Sequence, residues 1–545
     1  MATHEVFNQP PPLSGRNLFE DNLPLVEALS REGGDWGRER ASKVGEFWGG
    51  EPILWGELAN ERTPVLERFD RYGNRVDEVL FDSSWHSLME AGVRDELHAL
   101  PWREPQPGAQ VARAACFITA TQAEAGFACP TTMTFAAIPA LRMEPVLAAE
   151  WEPLLTATSY DPSSRPASEK GSAICGMAMT EKQGGSDVRA NTTTAKPLNG
   201  GGPAAEYEIT GHKWFCSAPG SDLFLILAQA PEGLSCFALP RILPDGSRNK
   251  IRIERLKDKL GNRSNASSEV EYDGALARMV GEPGRGVPTI IEMVGHTRLD
   301  CVLGAAAGMR SAVAQATWHT AHRSAFGKRL IDQPLMTNVL ADLALEAEAA
   351  TALAMRLARA YDEAEADPAA AQLKRLATPM SKYYVCQRAP QHAFEAMEAL
   401  GGAGYVEESG MPRLYREAPL NSIWEGSGNV IALDVLRALA HEPESLETFF
   451  TEIGRAAGAD ARLDGFVERL RLEFNDPEQL EFRARLIVER MALAFQGALL
   501  VEHAPAAVSD AFCSARLSER PGLNYGSLPP GTDAAAIIAR HTPQG

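Results

Sequence analysis

No stretch of the 545-residue sequence reaches the roughly 18 consecutive apolar residues that a membrane-crossing helix needs, although hydrophobic residues make up 45% of it. The apolar residues are therefore read as a packed core. The segment Met1 to Pro12 lacks both the basic start and the apolar run of a secretory signal, so the expected compartment is the cytoplasm, with no membrane partner. The eight cysteines, Cys116, Cys129, Cys175, Cys216, Cys236, Cys301, Cys386 and Cys513, include no C-x-x-C pair. Neither a disulfide framework nor a zinc finger is indicated, and reduced, mostly buried thiols are expected. His319 and His322 form an H-x-x-H without acids or cysteines beside them, which reads as the face of a surface helix and not as a metal site. Positive charge is also short. A net charge of -19 excludes broad electrostatic attraction to nucleic acid or anionic lipid, so any such contact needs a local basic patch.

What is present has a three-part texture. At about 100–200 residues per domain, the length predicts three or four domains. Helical spacing dominates residues 13–170, in runs such as Leu23 to Ser30, Trp85 to Leu97 and Ala109 to Gly126. From Ser172 to about Val280 the chain changes to short β-rich runs: Tyr207 to Thr210, Leu223 to Leu227, Ile251 to Ile253, and Val270 to Tyr272. Long Ala- and Leu-rich amphipathic segments then return, including Met336 to Ala360 and Val430 to Ala440, and predict a helical bundle. The last hundred residues add another helical segment with an apolar stripe of Leu486, Ile487, Met491, Ala494, Phe495, Ala498 and Val501. After Arg520 the Pro-, Gly- and Ser-rich sequence is expected to be loosely ordered. The predicted division is 1–171 helical, 172–284 β, 285–440 helical bundle and 441–545 an additional helical domain.

Two glycine-bearing patterns carry chemistry. The run Ala178-Met179-Thr180-Glu181-Lys182-Gln183-Gly184-Gly185-Ser186-Asp187-Val188-Arg189-Ala190 offers hydroxyls and backbone N–H groups beside glycines that permit close approach, which suits a planar ring and a polar ligand head. The second pattern runs from Glu398 through Gly401-Gly402-Ala403-Gly404-Tyr405 to Glu408, Arg413 and Glu417. It is not a dinucleotide-binding turn: Glu407 stands in the sixth place of the would-be G-x-G-x-x-G, and a helix, not a strand, precedes it.

Together with the α–β–α order, these patterns resemble the acyl-CoA dehydrogenase family, strongly over residues 170–440. The resemblance implies a mainly α fold with a helical N-terminal domain, a β-barrel-like middle domain and a helical bundle, here with an extra C-terminal helical domain. It also implies FAD, held by Met179, Thr180, Gly185 and Ser186 of the first pattern and by Glu398 and Gly402 of the second. Gly211-His212-Lys213-Trp214-Phe215-Cys216-Ser217 resembles the strand that covers the flavin. With side chains alternating along a strand, Phe215 and Ser217 face the ring, next to Cys216, and Trp214 points away. Arg323-Ser324-Ala325-Phe326-Gly327 resembles the family's R-x-x-F-G, which implies that Arg323 pairs with the FAD pyrophosphate of a neighbouring subunit in a homo-oligomer, with Phe326 beside it. The glutamine that follows this motif in the family stands at Gln333, one residue early.

Ile423-Trp424-Glu425-Gly426-Ser427-Gly428-Asn429 is similar to the family's aromatic-Glu-Gly motif. It implies that Glu425 is the catalytic base for the substrate's α-proton, a role that burial serves by raising a carboxylate toward pKa ~6–7. Ile423, Trp424, Gly426, Ser427 and Asn429 are its expected cofactor-contacting neighbours, with Ser427 and Asn429 capping the following helix. Isovaleryl-type members carry the base just before an arginine on another helix. That place is Thr297, before Arg298, and threonine cannot act as the base.

Several stretches, including Leu256 to Ala266 and Asn421 to Asn429, are similar to the branch of the family linked to the adaptive response to DNA alkylation. This implies a tetrameric FAD protein that acts on a short or branched acyl-CoA such as isovaleryl-CoA and passes electrons to an electron-transfer flavoprotein. The alternative it implies is a protein that binds double-stranded DNA and protects it from alkylating agents. Residues 441–545 hold ten Arg, no Lys and sixteen Asp plus Glu, a net 10 - 16 = -6. On the DNA reading Arg462, Arg469, Arg483, Arg485 and Arg490 would have to gather on one face; the alternative for each is a solvated helix with i,i+4 ion pairs.

Overall fold

A computed structural model describes residues 3–476 and 478–543. The chain runs through helices, a β unit and helices again, and compactness groups these elements differently from chain order. One unit comprises Met1–Gly50, Gln106–Gln122 and Arg298–Gly545; the other comprises Glu51–Pro105 and Ala123–Thr297.

In the second unit, apolar alternation folds seven strands around one core. Glu206–Ser217 pairs antiparallel with Thr194–Pro197 on one side and with Ser267–Val280 on the other. Leu223–Ala230 pairs antiparallel with Gly233–Pro240, which pairs in turn with Ser267–Val280. A parallel contact of Thr194 with Gln229 closes the ring, and Cys175–Ala178 and Ile251–Leu256 join it from outside. Every β-rich run read from the sequence lies in one of these strands. Inside are Tyr207, Ile209, Phe224, Phe237, Tyr272 and Met279. Burial of this kind contributes about 25 cal/mol per Å² of apolar surface.

The region before residue 170 is not wholly helical. Val65–Phe69 and Arg75–Leu80 form an antiparallel hairpin, in which Asp70 turns the chain by accepting from the N–H groups of Tyr72 and Asn74. Leu66 and Val79 pack on the β core. The hairpin's own sequence is too short and too charged to stand alone, so this tertiary contact decides its conformation.

In the first unit, the portion of helix Gly286–His322 from Arg298 onward, Pro334–Glu363, Pro368–Ala399 and Gly428–His441 form the bundle; Glu444–Ile453 and Leu480–His503 pack on it, and Ala461–Phe474 packs on Leu480–His503. Ile487, Met491, Ala494, Phe495 and Ala498 are buried as the stripe predicts, while Leu486 is 44% exposed. All eight cysteines are free and buried. His319 is buried as well, so the H-x-x-H lies only partly on the surface.

Residues 521–543 are ordered, contrary to their composition. Asp342 accepts from the Gly526 N–H at 2.9 Å, Asn338 exchanges two bonds with the Leu528 backbone, and Tyr525 lies under the Arg388 guanidinium. The tail ends in helix Ala534–His541, whose His541 meets buried Glu348 at 3.0 Å. Its order comes from carboxylates and amides of the bundle, which a local reading of composition does not see.

Candidate functional site

The first pattern follows strand Cys175–Ala178 as a loop on the β unit. Its acid, Glu181, is fully buried and satisfied. One carboxylate oxygen accepts from Lys213 Nζ at 2.9 Å and the Thr193 N–H at 3.1 Å; the other accepts from the Thr192 N–H and hydroxyl and from Gln183. Burial works against the charge, yet the Thr192 and Thr193 donors and the Lys213 ammonium hold Glu181 well below the usual carboxylate range. Burial pushes Lys213 down as well, against the pull of Glu181. Glu181 is thus a tether between loop and strand and not a ligand for a cofactor. The Trp214 N–H donates to the Thr180 carbonyl, and Asn191 donates to the Met179 carbonyl. Gly185 lies so close to Thr180 that a Cβ would come within 2.3 Å of its hydroxyl. Ser186 is exposed beside it.

The strand does not alternate as expected at its end. Register shifts between Lys213 and Cys216, and the extra residue of the bulge turns Trp214 and Phe215 toward a common cation. Lys257 Nζ stands 3.4 Å from the Trp214 ring centroid and 4.6 Å from that of Phe215. Trp214 therefore does not point away from its neighbour. Phe215 is 47% exposed, while Cys216 is sealed in the β core, and Ser217 shares a hydrogen bond with Ser267.

In the other unit, the loop Ile423 to Ser427 is gripped by its backbone. Lys382, 1% exposed within helix Pro368–Ala399, donates to the carbonyls of Trp424, at 2.8 Å, and Gly426. Arg298 Nε donates to the carbonyl of Glu425 at 3.0 Å, and its Nη1 is anchored on Asp434 at 2.6 Å, which Arg375 also holds. Burial opposes the Asp434 charge; the two guanidinium groups outweigh it and keep that carboxyl low. Under this grip Glu425 adopts φ +57°, a left-handed conformation that costs a side-chain-bearing residue roughly 1–2 kcal/mol. Gly426, at φ +105°, lies where a Cβ would meet Ile431 at 2.8 Å. Trp424 is steadied by Asn421 at 3.1 Å, and Ile423 is exposed.

Ser427 takes the capping position of helix Gly428–His441, but its side chain makes no capping bond. The first-turn N–H groups are left for another acceptor, beside exposed Ser427 and Asn429. Glu398 and Gly402 are also exposed, at the end of helix Pro368–Ala399. Arg323 donates to the Asn8 carbonyl and the Gln9 side chain, and lies at the base of a hairpin whose tip is Phe326, 99% exposed at φ +53°. Gln333 donates to the Ala325 carbonyl and braces that hairpin. Thr297 is buried and bonds within its own helix, to the Val294 carbonyl.

The residues that the sequence did not single out are the holders: Lys213, Lys257, Lys382 and Asp434. A lysine set among Met380, Tyr383 and Val385 in an otherwise apolar run was the available signal for Lys382, since a buried ammonium needs partners.

Helices before and after a closed β unit in chain order, with a glutamate-bearing loop clamped through its carbonyls at the head of a bundle helix, define the acyl-CoA dehydrogenase class of fold. Three family models match in succession: the adaptive response protein AidB N-terminal domain at residues 8–162, the acyl-CoA dehydrogenase middle domain at 176–275 and its C-terminal domain at 284–440. The chain is 46% identical to AidB of Escherichia coli (strain K12) over 524 residues, 96% of each chain. It is 30% identical to acyl-CoA dehydrogenase family member 11 of Caenorhabditis elegans, over 85% of this chain and 79% of that one. The crystal structure of Caenorhabditis elegans ACDH-11 in complex with C11-CoA superposes with TM-score 0.86 at 27% identity, covering 94% of this chain and 92% of that one. The chain belongs to the acyl-CoA dehydrogenase family, in its AidB branch, and is an acyl-CoA dehydrogenase-like oxidoreductase.

Proposed function

We propose that the protein oxidises a short or branched acyl-CoA such as isovaleryl-CoA, with FAD as cofactor and Glu425 as the base. The observation that carries this is the backbone clamp: Lys382 and Arg298 fix the carbonyls on both sides of Glu425 and at Glu425 itself. Holding the main chain in a strained conformation sets the direction of the carboxylate, and a positioned base is what α-proton removal requires. Thr297, in the alternative position, uses its hydroxyl within its helix.

The residues fit FAD. Uncapped first-turn N–H groups at Gly428–His441 suit a polar cofactor atom. The exposed Phe215 ring suits a flat ring, and Met179, Thr180, Gly185 and Ser186 offer the loop beside the Trp214 strand. Cys216 contributes through its backbone, since its side chain is in the core. FAD held there would supply the acceptor for the hydride that leaves the substrate's β-carbon as Glu425 takes the α-proton. Arg323 and Phe326 serve a neighbouring subunit of a homotetramer; a fully exposed aromatic at a left-handed hairpin tip is suited to a partner's surface. An electron-transfer flavoprotein takes the electrons onward.

The test is anaerobic mixing of FAD-loaded protein with isovaleryl-CoA and, because the nematode relative was crystallised with C11-CoA, with an eleven-carbon acyl-CoA. Loss of the flavin's visible absorbance with isovaleryl-CoA is expected. Bleaching with the longer chain alone moves the substrate class, and no bleaching with any acyl-CoA overturns the reading.

Binding of double-stranded DNA is not adopted as a second reading. Arg455, Arg462, Arg483, Arg490, Arg516 and Arg540, six of the ten arginines of residues 441–545, form ion pairs with Asp or Glu. Arg485 donates to the Tyr383 hydroxyl and Arg469 to the Leu517 carbonyl. Of the two readings of these arginines, ion pairing describes Arg462, Arg483 and Arg490, and phosphate contacts there would have to displace existing partners.

A further inference from the structure

A cavity of about 440 Å³ opens in the β unit beside the hairpin, lined by Arg75, Arg241, Arg248, Lys250 and Arg252 against only two acids, Asp77 and Asp273. None of the residues assigned to FAD or catalysis lines it. The volume lies within the roughly 300–1,000 Å³ of small-molecule sites. Three of the cations already have partners: Arg75 meets Asp77 and Glu254, Arg252 meets Asp273, and Arg248 meets Glu78. Two are not fully used. Lys250 is exposed, and its ammonium has no ion pair among the described residues. Arg241 is 9% exposed; its Nε donates to the Ser221 carbonyl and its Nη1 to Ser164, with Glu78 3.8 Å away, while Nη2 has no partner among the described residues.

A guanidinium whose remaining donor faces a cavity can complete its hydrogen bonding on an anion. Burial indeed pushes Arg241 below its ordinary value in spite of Glu78 and Asp222. The loop that presents these cations is rigid at its centre: Asn249, buried, donates to the carbonyls of Pro240 and Leu276 and accepts from the Leu276 N–H. The rest of the lining is apolar, with Val76, Pro219, Phe224, Ile251 and Ile253.

We propose that this cavity binds a phosphorylated ligand of the nucleotide class, with Arg241 and Lys250 on the phosphate and the apolar wall of Val76, Ile251 and Phe224 against the body. A phosphate alone would use the cations but leave that wall unfilled.

The experiment is calorimetric titration of the FAD-loaded full chain with ADP, inorganic phosphate and adenosine. Saturable ADP binding is expected, with phosphate and adenosine each weaker by about tenfold or more. Lys250→Glu, at an exposed position, should weaken ADP by about tenfold or more, as the loss of a charged hydrogen bond does, and leave the rate of flavin bleaching by acyl-CoA unchanged. Arg241→Gln should weaken ADP similarly, with Lys250→Glu deciding the matter if that variant does not fold. The proposal is overturned by no saturable ADP binding, by ADP affinity that Lys250→Glu leaves intact, or by phosphate binding as tightly as ADP. None of these outcomes bears on Glu425, so this site and the dehydrogenase reading fail separately.

Discussion

The loop that follows Met179 and the loop around Glu425 both present motif residues, and they are held in opposite ways. In the first, a motif acid is consumed: Glu181 faces five donors and is buried with Lys213. In the second, cations hold the main chain, taking the carbonyls of residues 424 to 426. Glu181 is held through its side chain, whereas the loop of Glu425, the proposed base, is held through its main chain. Motif membership alone does not tell these apart, and partners do.

The comparison is broken most severely at the acid proposed as the base. Glu425→Gln keeps shape and clamp but cannot accept a proton, so flavin bleaching by acyl-CoA should slow by about 10²–10⁴, with FAD retained and stability unchanged. Wild-type bleaching rates in the variant would remove Glu425 as the base.

At the other loop the same logic predicts loss of structure. Lys213→Met leaves Glu181 buried without its cation and should cost about 3–5 kcal/mol in denaturant unfolding; Lys213→Met/Glu181→Gln should recover part of that. Because Glu181 is held below its ordinary 4.5, its contribution is complete above that pH and declines as the pH falls toward the depressed folded value. A Lys213→Met protein as stable as wild type would show that the pair is not a tether.

The sequence made the α–β–α order legible because strand and helix periods are local properties, and it could single out Glu425 as a candidate because its motif is contiguous. The holders were not legible. Lys213 and Glu181 are 32 residues apart, Lys382 and Trp424 are 42 apart, and Arg298 and Glu425 are 127 apart. Alternation at Phe215 failed for a similar reason: the bulge is defined by its partner Ser267–Val280, not by the strand's own residues. Arg516, which the sequence did not single out, finds its acids Asp342 and Glu346 far back in the chain, in helix Pro334–Glu363.

A smaller effect is expected at the clamp itself. Lys382→Met removes two charged hydrogen bonds to the loop, each contributing about 1.5–3 kcal/mol when intact, and part of that loss appears as a less directed Glu425. kcat should fall by about tenfold to a hundredfold while KM changes little, because the substrate's binding contacts are not among those removed. A fall in stability with kcat unchanged would make Lys382 a structural residue only.

The smallest effect separates strain from contact at one position. Glu425→Ala and Glu425→Gly both delete the carboxylate, so both should be inactive, and any difference in their stability reports the backbone. At φ +57° alanine bears the left-handed cost of roughly 1–2 kcal/mol, while glycine escapes it but loses about 0.5–1 kcal/mol through its freer unfolded chain. The glycine variant should therefore be the more stable of the two by about 1 kcal/mol or less, read as a shift in denaturation midpoint at constant slope. Alanine matching or exceeding glycine would mean that the loop relaxes out of the left-handed region once the side chain is gone. The cations at the three carbonyls would then be following the conformation of Glu425 rather than imposing it.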